Sequence, residues 1–337
     1  MNVRALMKRA VLSLDETAVD LFLGSTNEEG KLLSFLFHGL FKNNEERQAG
    51  ESDPQQGITV EMFRMFVSHF RECGYTFISP SEIVERLGPS GKYILITFDD
   101  GYFNNVRAIP VLEEFNVPAV FFISTEHVKQ AKSFWWDVVF REAKKCGQTD
   151  SEVHRILGRY KKLKTEVVET ELRKLFGRDA LRPVGDVDRP FSPDELREIS
   201  KHKLVFLGNH TRDHAILTNY SESEVRQQIR GAQGDIREMT GQTPTMIAYP
   251  SGNYSVEIEN AAFAAGLPLG VSLRPGRNRL PLEKQTAKTM TLKRYTLWGN
   301  RGIEQQCRVS RSGVSFFRLL QGLTAPAPTA MSYWGAR

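Results

Sequence analysis

Cysteine is scarce in this chain. Cys73, Cys146 and Cys307 are its only three, far apart and never in a CxxC spacing. That excludes a disulfide framework and a cysteine-built zinc site, and it makes a reducing, cytoplasmic compartment the expected setting. Long apolar runs are missing too: no stretch approaches the ~20 apolar residues that a membrane-spanning helix needs. The first nine residues are basic, but Asp15, Glu16 and Asp20 interrupt the apolar run at 11–23, so no secretory signal is expected. A basic amphipathic helix resting on a membrane surface stays open as a peripheral association. The chain shows no glycine-rich dinucleotide loop and no internal repeat. It carries no helix-turn-helix, zinc-finger or aromatic RNA-binding signature, which argues against a nucleic-acid partner. Histidine is absent beyond His214.

What is present suits a soluble globular protein. The 337 residues are 40% hydrophobic and 25% charged, enough for one large core. The net charge of +5 is modest but unevenly placed. Residues 273–318 hold eleven Lys and Arg against Glu283 and Glu304, a local +9 that leaves the remainder near −4. A solvated basic surface is the plain reading. Attraction to an anionic glycan or a membrane surface is the sharper one.

Apolar segments at 32–37, 75–78, 94–98, 119–124, 204–207, 246–249, 269–272 and 292–295 predict strands. Helical periodicity fills most of the gaps, as at Met62, Phe63, Phe66, Val67 and Phe70. Ser79 with Glu82, Ser192 with Glu195 and Ser221 with Glu224 have the spacing of capping boxes that open helices. Strand–helix alternation on this scale predicts an α/β fold, a distorted barrel of seven or eight βα units. The rhythm breaks between about 134 and 190, a charged and helical stretch that reads as an insertion. The barrel is then expected over 31–310, with a helical arm at 1–30 and a tail at 311–337.

In (β/α) barrels the active site gathers at the C-terminal ends of the strands. Here those ends are His38, Asp99 with Asp100, Ser124 with Thr125, His210 to His214, Tyr249-Pro250-Ser251-Gly252, and Arg294. Two adjacent carboxylates closing an apolar strand are costly unless a metal, a cation or a shared proton uses their charge. His210 and His214, four apart, are expected to share one face of a helical turn and reach one ion. Two histidines and one aspartate make a three-ligand site with a position left open, as a catalytic metal requires. Zinc suits that set best, and iron, cobalt and nickel suit it too. The remaining carboxylate is then a candidate general base. Spacing alone does not say which aspartate does which.

Three stretches, Thr97-Phe98-Asp99-Asp100-Gly101, His210-Thr211-Arg212-Asp213-His214 and Ala248-Tyr249-Pro250-Ser251-Gly252-Asn253-Tyr254, resemble in order the first three motifs of the polysaccharide deacetylase family (NodB-like, carbohydrate esterase family 4). The resemblance covers about residues 32–295. It implies a distorted (β/α) barrel that uses a divalent metal to remove acetyl groups from N-acetylated sugars. By matching position it implies Asp99 as catalytic base, Asp100, His210 and His214 as metal ligands, and the Ser251 backbone N–H as a donor to the oxyanion. Tyr249 and Pro250 are expected at the substrate. So are Trp135 and Trp136, which equally suit an anchor for the insertion. Many members carry an arginine where this chain has Ala248, and a late histidine that this chain lacks. Arg294 is the candidate to orient Asp99 instead, and His38 the candidate general acid. The expected partner is an N-acetylated glycan or a lipid- or nucleotide-linked sugar. The alternatives are a different acyl amide, or a non-catalytic barrel that binds metal and glycan. The sequence does not set the oligomeric state.

Overall fold

Alternation along one strand sets the layers of the molecule. In strand β3, Lys92–Phe98, the side chains of Ile94, Ile96 and Phe98 join the outer core beneath the helices, while Leu95 joins the inner one. The same division holds in β4, Ala119–Ile123, where Phe121 faces out and Phe122 faces in. The computed structural model describes residues 27–85, 87–282 and 287–313. The expected arm and tail lie, but for their innermost residues, outside the described residues.

Strand β1, Lys31–Phe37, is followed by the short β2, Thr76–Phe77, and then by β3 and β4. Strands β5 (Val205–Asn209), β6 (Met246–Ala248), β7 (Leu269–Val271), β8 (Asn278–Arg279) and β9 (Arg294–Thr296) complete the set. Their order is β7-β6-β5-β4-β3-β1, with every neighbouring pair parallel. Strand β9 lies parallel to β1 on its free side, with Arg294 opposite Ser34. Just before it, Leu292 bridges to Val271 of β7, and its carbonyl accepts from the Ser272 N–H at 2.8 Å. Residues 292–296 thus join the two edges of the sheet and curl it into the distorted barrel the sequence predicted. The antiparallel β8 on β1 was not foreseen, since two residues carry no apolar pattern.

Aromatic packing dominates the layer between barrel and helices. Phe66 of the helix Val60–Glu72 meets Phe35 edge-on at 4.8 Å and Phe37 at 5.1 Å, and Phe98 stacks on Phe121 at 4.9 Å. Capping boxes open the helices at Ser192 and Ser221, as the spacing predicted. Within the insertion, the helices Trp135–Lys145, Asp150–Tyr160 and Thr165–Phe176 close over an apolar cluster of their own. A buried ion pair, Arg141 to Asp188 at 2.8 Å, ties the first of them to the returning chain. No helix among the described residues is long and apolar enough to cross a membrane.

Replacing Phe66 by Ala removes a fully buried ring from this aromatic layer. A loss of about 3–5 kcal/mol in denaturant unfolding is expected. Val184→Ala, at an exposed position in the insertion, should stay within about 0.5 kcal/mol.

Candidate metal-centred active site

Continuing the alternation of β3, Leu95, Thr97 and then Asp99 point into the barrel. Asp100 would face outward, but its backbone takes φ 76° and Gly101 follows at 86°. That left-handed turn brings the second carboxylate to the same side, and both are buried, Asp99 at 3% and Asp100 at 1% exposure. A non-glycine residue there is strained, and such strain is typical of functional sites.

The two carboxylates have different partners. Asp99 is held in a two-pronged grip by Arg294, Nη1 to Oδ1 at 2.7 Å and Nη2 to Oδ2 at 2.8 Å. The same guanidinium donates to Thr97 Oγ1 at 3.0 Å and to the Ser272 carbonyl at 3.1 Å. Arg294 is not at the C-terminal end of a strand, as the sequence suggested. It opens β9 at the level of Ser34, and its long side chain climbs the barrel interior to reach Asp99. Burial alone would raise the Asp99 pKa, but the guanidinium outweighs it and holds the carboxyl below its usual range.

Asp100 faces the histidines. Its Oδ1 lies 3.3 Å from His210 Nε2 and 3.4 Å from His214 Nε2. On the other side Oδ2 accepts from Gln55 Nε2 at 3.3 Å. The histidines do not ride on a helical turn as their spacing suggested. The chain leaves β5 as a loop in which Thr211 (φ 64°) and His214 (φ 50°) are left-handed. Thr211 is fixed there because its N–H donates to Asn209 Oδ1 at 2.9 Å and its hydroxyl accepts from the Ala215 N–H at 2.9 Å.

These three residues fit a cation. His210 Nδ1 donates to the Ala248 carbonyl at 2.8 Å, so in the neutral ring the Nε2 lone pair points at a carboxylate oxygen. Two lone pairs facing one another call for a positive charge between them. Among the described residues nothing hydrogen-bonds Asp100 Oδ1, although it is fully buried. The separations of 3.3 and 3.4 Å match the edge of a tetrahedron whose centre lies about 2.0–2.1 Å from each donor, the zinc–nitrogen bond length. All three donor atoms lie within 4.8 Å of one another. Burial pushes His214 down to about 3, which keeps that ring neutral and able to ligate. For His210 burial acts in the same direction, but the Asp100 and Asp99 carboxylates outweigh it and raise the pKa. Protons therefore compete with a metal ion more strongly at His210 than at His214, and acid will weaken binding.

The other residues singled out by the sequence sit around this centre. His38 Nε2 lies 4.0 Å from Asp100 Oδ2, and its Nδ1 donates to Gln56 Oε1 at 2.9 Å. In that tautomer Nε2 is an acceptor, and it can donate only when the ring is doubly protonated. Ser251 takes φ 55° in the turn Pro250–Gly252. Tyr249 and Pro250 are buried, the Tyr249 ring packing on Tyr254 at 5.3 Å. Both indoles are buried as well, Trp135 at 3% and Trp136 at 7% exposure. Trp135 packs edge-on against Tyr160, and Trp136 against the His214 ring at 4.5 Å. Both belong to the apolar cluster of the insertion.

Sequence reasoning missed a polar chain behind Asp100. Trp136 Nε1 donates to the Tyr102 hydroxyl at 2.8 Å, which donates to Asp137 Oδ2 at 2.7 Å. Asp137 Oδ1 accepts from the Asp53 N–H at 2.8 Å, and Asp53 Oδ1 accepts from the Gln55 N–H at 2.9 Å. The available signal was the polar run 42–56 after β1, since loops at that end of a barrel carry function.

A family profile described as "Polysaccharide deacetylase" matches residues 87–270. The putative polysaccharide deacetylase YxkH of Bacillus subtilis is 21% identical over 256 residues, covering 74% of this chain and 67% of that protein. Among solved structures, a polysaccharide deacetylase from Bacillus cereus aligns with a TM-score of 0.57 at 16% identity, over 84% of this chain and 69% of that one. The Streptococcus pyogenes deacetylase PplD, solved in complex with acetate, aligns with a TM-score of 0.55 at 16% identity, over 82% of this chain and 97% of that one.

Removing the guanidinium tests the electrostatics of the site. In metal-free Arg294→Met the buried Asp99 carboxylate is left unpaired, and about 3–5 kcal/mol of stability should be lost at neutral pH. The wild-type carboxyl, with its lowered pKa, contributes stability above the unfolded value of ~3.9 and loses it as pH falls through the folded value. In the variant, unopposed burial raises that pKa, so the deficit should shrink as pH falls and the carboxyl takes up a proton. Urea titrations between pH 4.5 and 7.5 measure this, and a deficit independent of pH contradicts the assignment.

Proposed function

This chain belongs to the polysaccharide deacetylase family, hydrolases that act on the N-acetyl amide bonds of glycans, and on that premise we propose that it is a metal-dependent N-deacetylase of an amino-sugar glycan or of its lipid- or nucleotide-linked precursor. One observation carries the reading: Asp100, His210 and His214 converge on one point while Asp99 is held beside them as a carboxylate by Arg294.

A divalent cation, zinc by ligand type, held by Asp100, His210 and His214 would supply Lewis acidity to the attacking water and the amide carbonyl. Asp99 then accepts a proton from that water at one of its oxygens. Arg294 keeps the carboxylate ionised and stops it from swinging away. The Asp99–Arg294 pair is neutral overall, so Asp100 supplies the remaining negative charge that favours a cation. The Ser251 N–H, turned by its left-handed backbone, is the proposed donor to the oxygen that becomes negative in the tetrahedral intermediate. The buried wall of Trp136 and Phe134 around His214 excludes water from one side of the centre.

Acetate release from N-acetylglucosamine oligomers, with zinc, cobalt or nickel added to metal-stripped protein, is the direct assay. Asp99→Asn should lower turnover by about 10²–10⁴-fold with metal binding retained. Asp100→Asn should lower metal affinity first, and calorimetric titration with zinc should show one equivalent in the wild type, weakening as pH falls through the raised His210 pKa. Activity undiminished in Asp99→Asn removes this reading.

A further inference from the structure

A carboxylate beside a cation binds it in one of two ways, through a single oxygen or through both. The second way occupies an extra coordination position and leaves less room for water and substrate. What holds the second oxygen decides between them. The present inference rests on the metal-dependent function proposed above and concerns the second oxygen of Asp100.

Asp100 divides its oxygens between two sides. Oδ1 faces His210 and His214. Oδ2 faces the loop after β1, where it accepts from Gln55 Nε2 at 3.3 Å and has His38 Nε2 4.0 Å away. Gln55 is itself fixed from two directions. Its N–H donates to Asp53 Oδ1 at 2.9 Å, and the Asp53 N–H donates to Asp137 Oδ1 at 2.8 Å on the first helix of the insertion. On the other side Gln56 is clamped to the barrel. Its Nε2 donates to the Leu36 carbonyl at 2.7 Å, and its carbonyl accepts from the Gly299 N–H at 2.8 Å beyond β9. Between these anchors Gln55 takes φ 46°, a left-handed conformation that persists only where the surroundings impose it. Tyr102, two residues beyond Asp100, donates to Asp137 Oδ2 at 2.7 Å. The circuit is therefore closed: from Asp100 along the chain to Tyr102, across to Asp137, through Asp53 to Gln55, and back to Asp100. Every member of it is buried, Asp137 completely.

We propose that Gln55 is a positioning residue that reserves Oδ2 of Asp100, so that this carboxylate ligates through Oδ1 alone and a coordination position stays open for water and substrate. The insertion, through Asp137, sets Gln55 in place. The barrel supplies the ligands, and the insertion supplies the constraint on how one of them binds. A neutral amide suits the task. It occupies Oδ2 without cancelling the charge that draws the cation, whereas a lysine or arginine at that position would occupy the oxygen and cancel the charge as well. A partner that orients a ligating carboxylate in this way is expected to matter to metal affinity nearly as much as a ligand does.

The test uses the full-length protein, stripped of metal and loaded with one equivalent of cobalt(II), whose visible absorption weakens as its coordination number rises. Gln55→Met removes the donor at similar volume and frees Asp100 to chelate through both oxygens. Its cobalt absorption should fall below that of the wild type, and its zinc affinity, measured by calorimetry, should drop about 10–100-fold. Asp53→Ala removes only the acceptor of the Gln55 N–H and should move the spectrum in the same direction by a smaller amount. Asp53→Asn keeps that acceptor and should restore the wild-type spectrum. A purely structural role for the loop would lower the urea midpoint of the metal-free protein and leave the spectrum where it is. A Gln55→Met spectrum that superimposes on the wild type overturns the inference and leaves the metal-dependent reading standing. Where Gln55→Met does not fold, an unmoved Asp53→Ala spectrum does the same. A wild-type protein that binds neither cobalt nor zinc overturns both.

Discussion

The site depends on one guanidinium inside the barrel. Arg294 belongs to β9, the strand that joins the two edges of the sheet, and it grips Asp99 at the tip of β3 through both oxygens. A buried pair of this kind adds little net stability over apolar side chains of the same volume. Its consequence is positional. With both Asp99 oxygens engaged, only Asp100 can turn to the histidines, and closing the barrel and separating the roles of the two carboxylates become the same structural event.

Charge then decides what the centre accepts. Arg294 cancels Asp99 and the neutral ring of His214 cancels nothing, so whenever His210 is neutral as well, Asp100 remains as a buried negative charge with an unsatisfied oxygen. The backbone bears a cost for this geometry. Gln55, Asp100, Thr211, His214 and Ser251 all lie in the left-handed region, at about 1 kcal/mol or more each. The surrounding hydrogen bonds hold them there: Asn209 and Ala215 fix Thr211, and the Ala248 carbonyl fixes the His210 ring. The helical insertion completes the setting. Trp136 presses on His214, the Tyr102–Asp137 chain runs behind Gln55, and Asn219 locks the turn after the helix Asp150–Tyr160 to the histidine loop.

Local pattern in the sequence was enough to name the strands other than β8, the capping boxes, the helical insertion and the four residues Asp99, Asp100, His210 and His214. Each of these signals is short-range: an apolar strand ends on a polar residue, and the period of two or of 3.6 shows which way its side chains point. The backbone of the histidine pair was misread for the same reason. A spacing of four suits a helical turn, but the Asn209 and Thr211 side chains compete for the backbone and open it into a loop.

The sequence by itself determined the inner and outer faces of the barrel, where its strands end, and that two carboxylates and two histidines stand at those ends. Only the tertiary structure decided which carboxylate faces the histidines, because the answer comes from the grip on Asp99 of Arg294, 195 residues away and at the start of β9 rather than at the strand end where the sequence placed it. The same holds for Gln55 and Asp137. Their neighbourhood to the centre exists only once β9 has closed the sheet and the insertion has folded back over its mouth, and no local pattern encodes a contact made at that range.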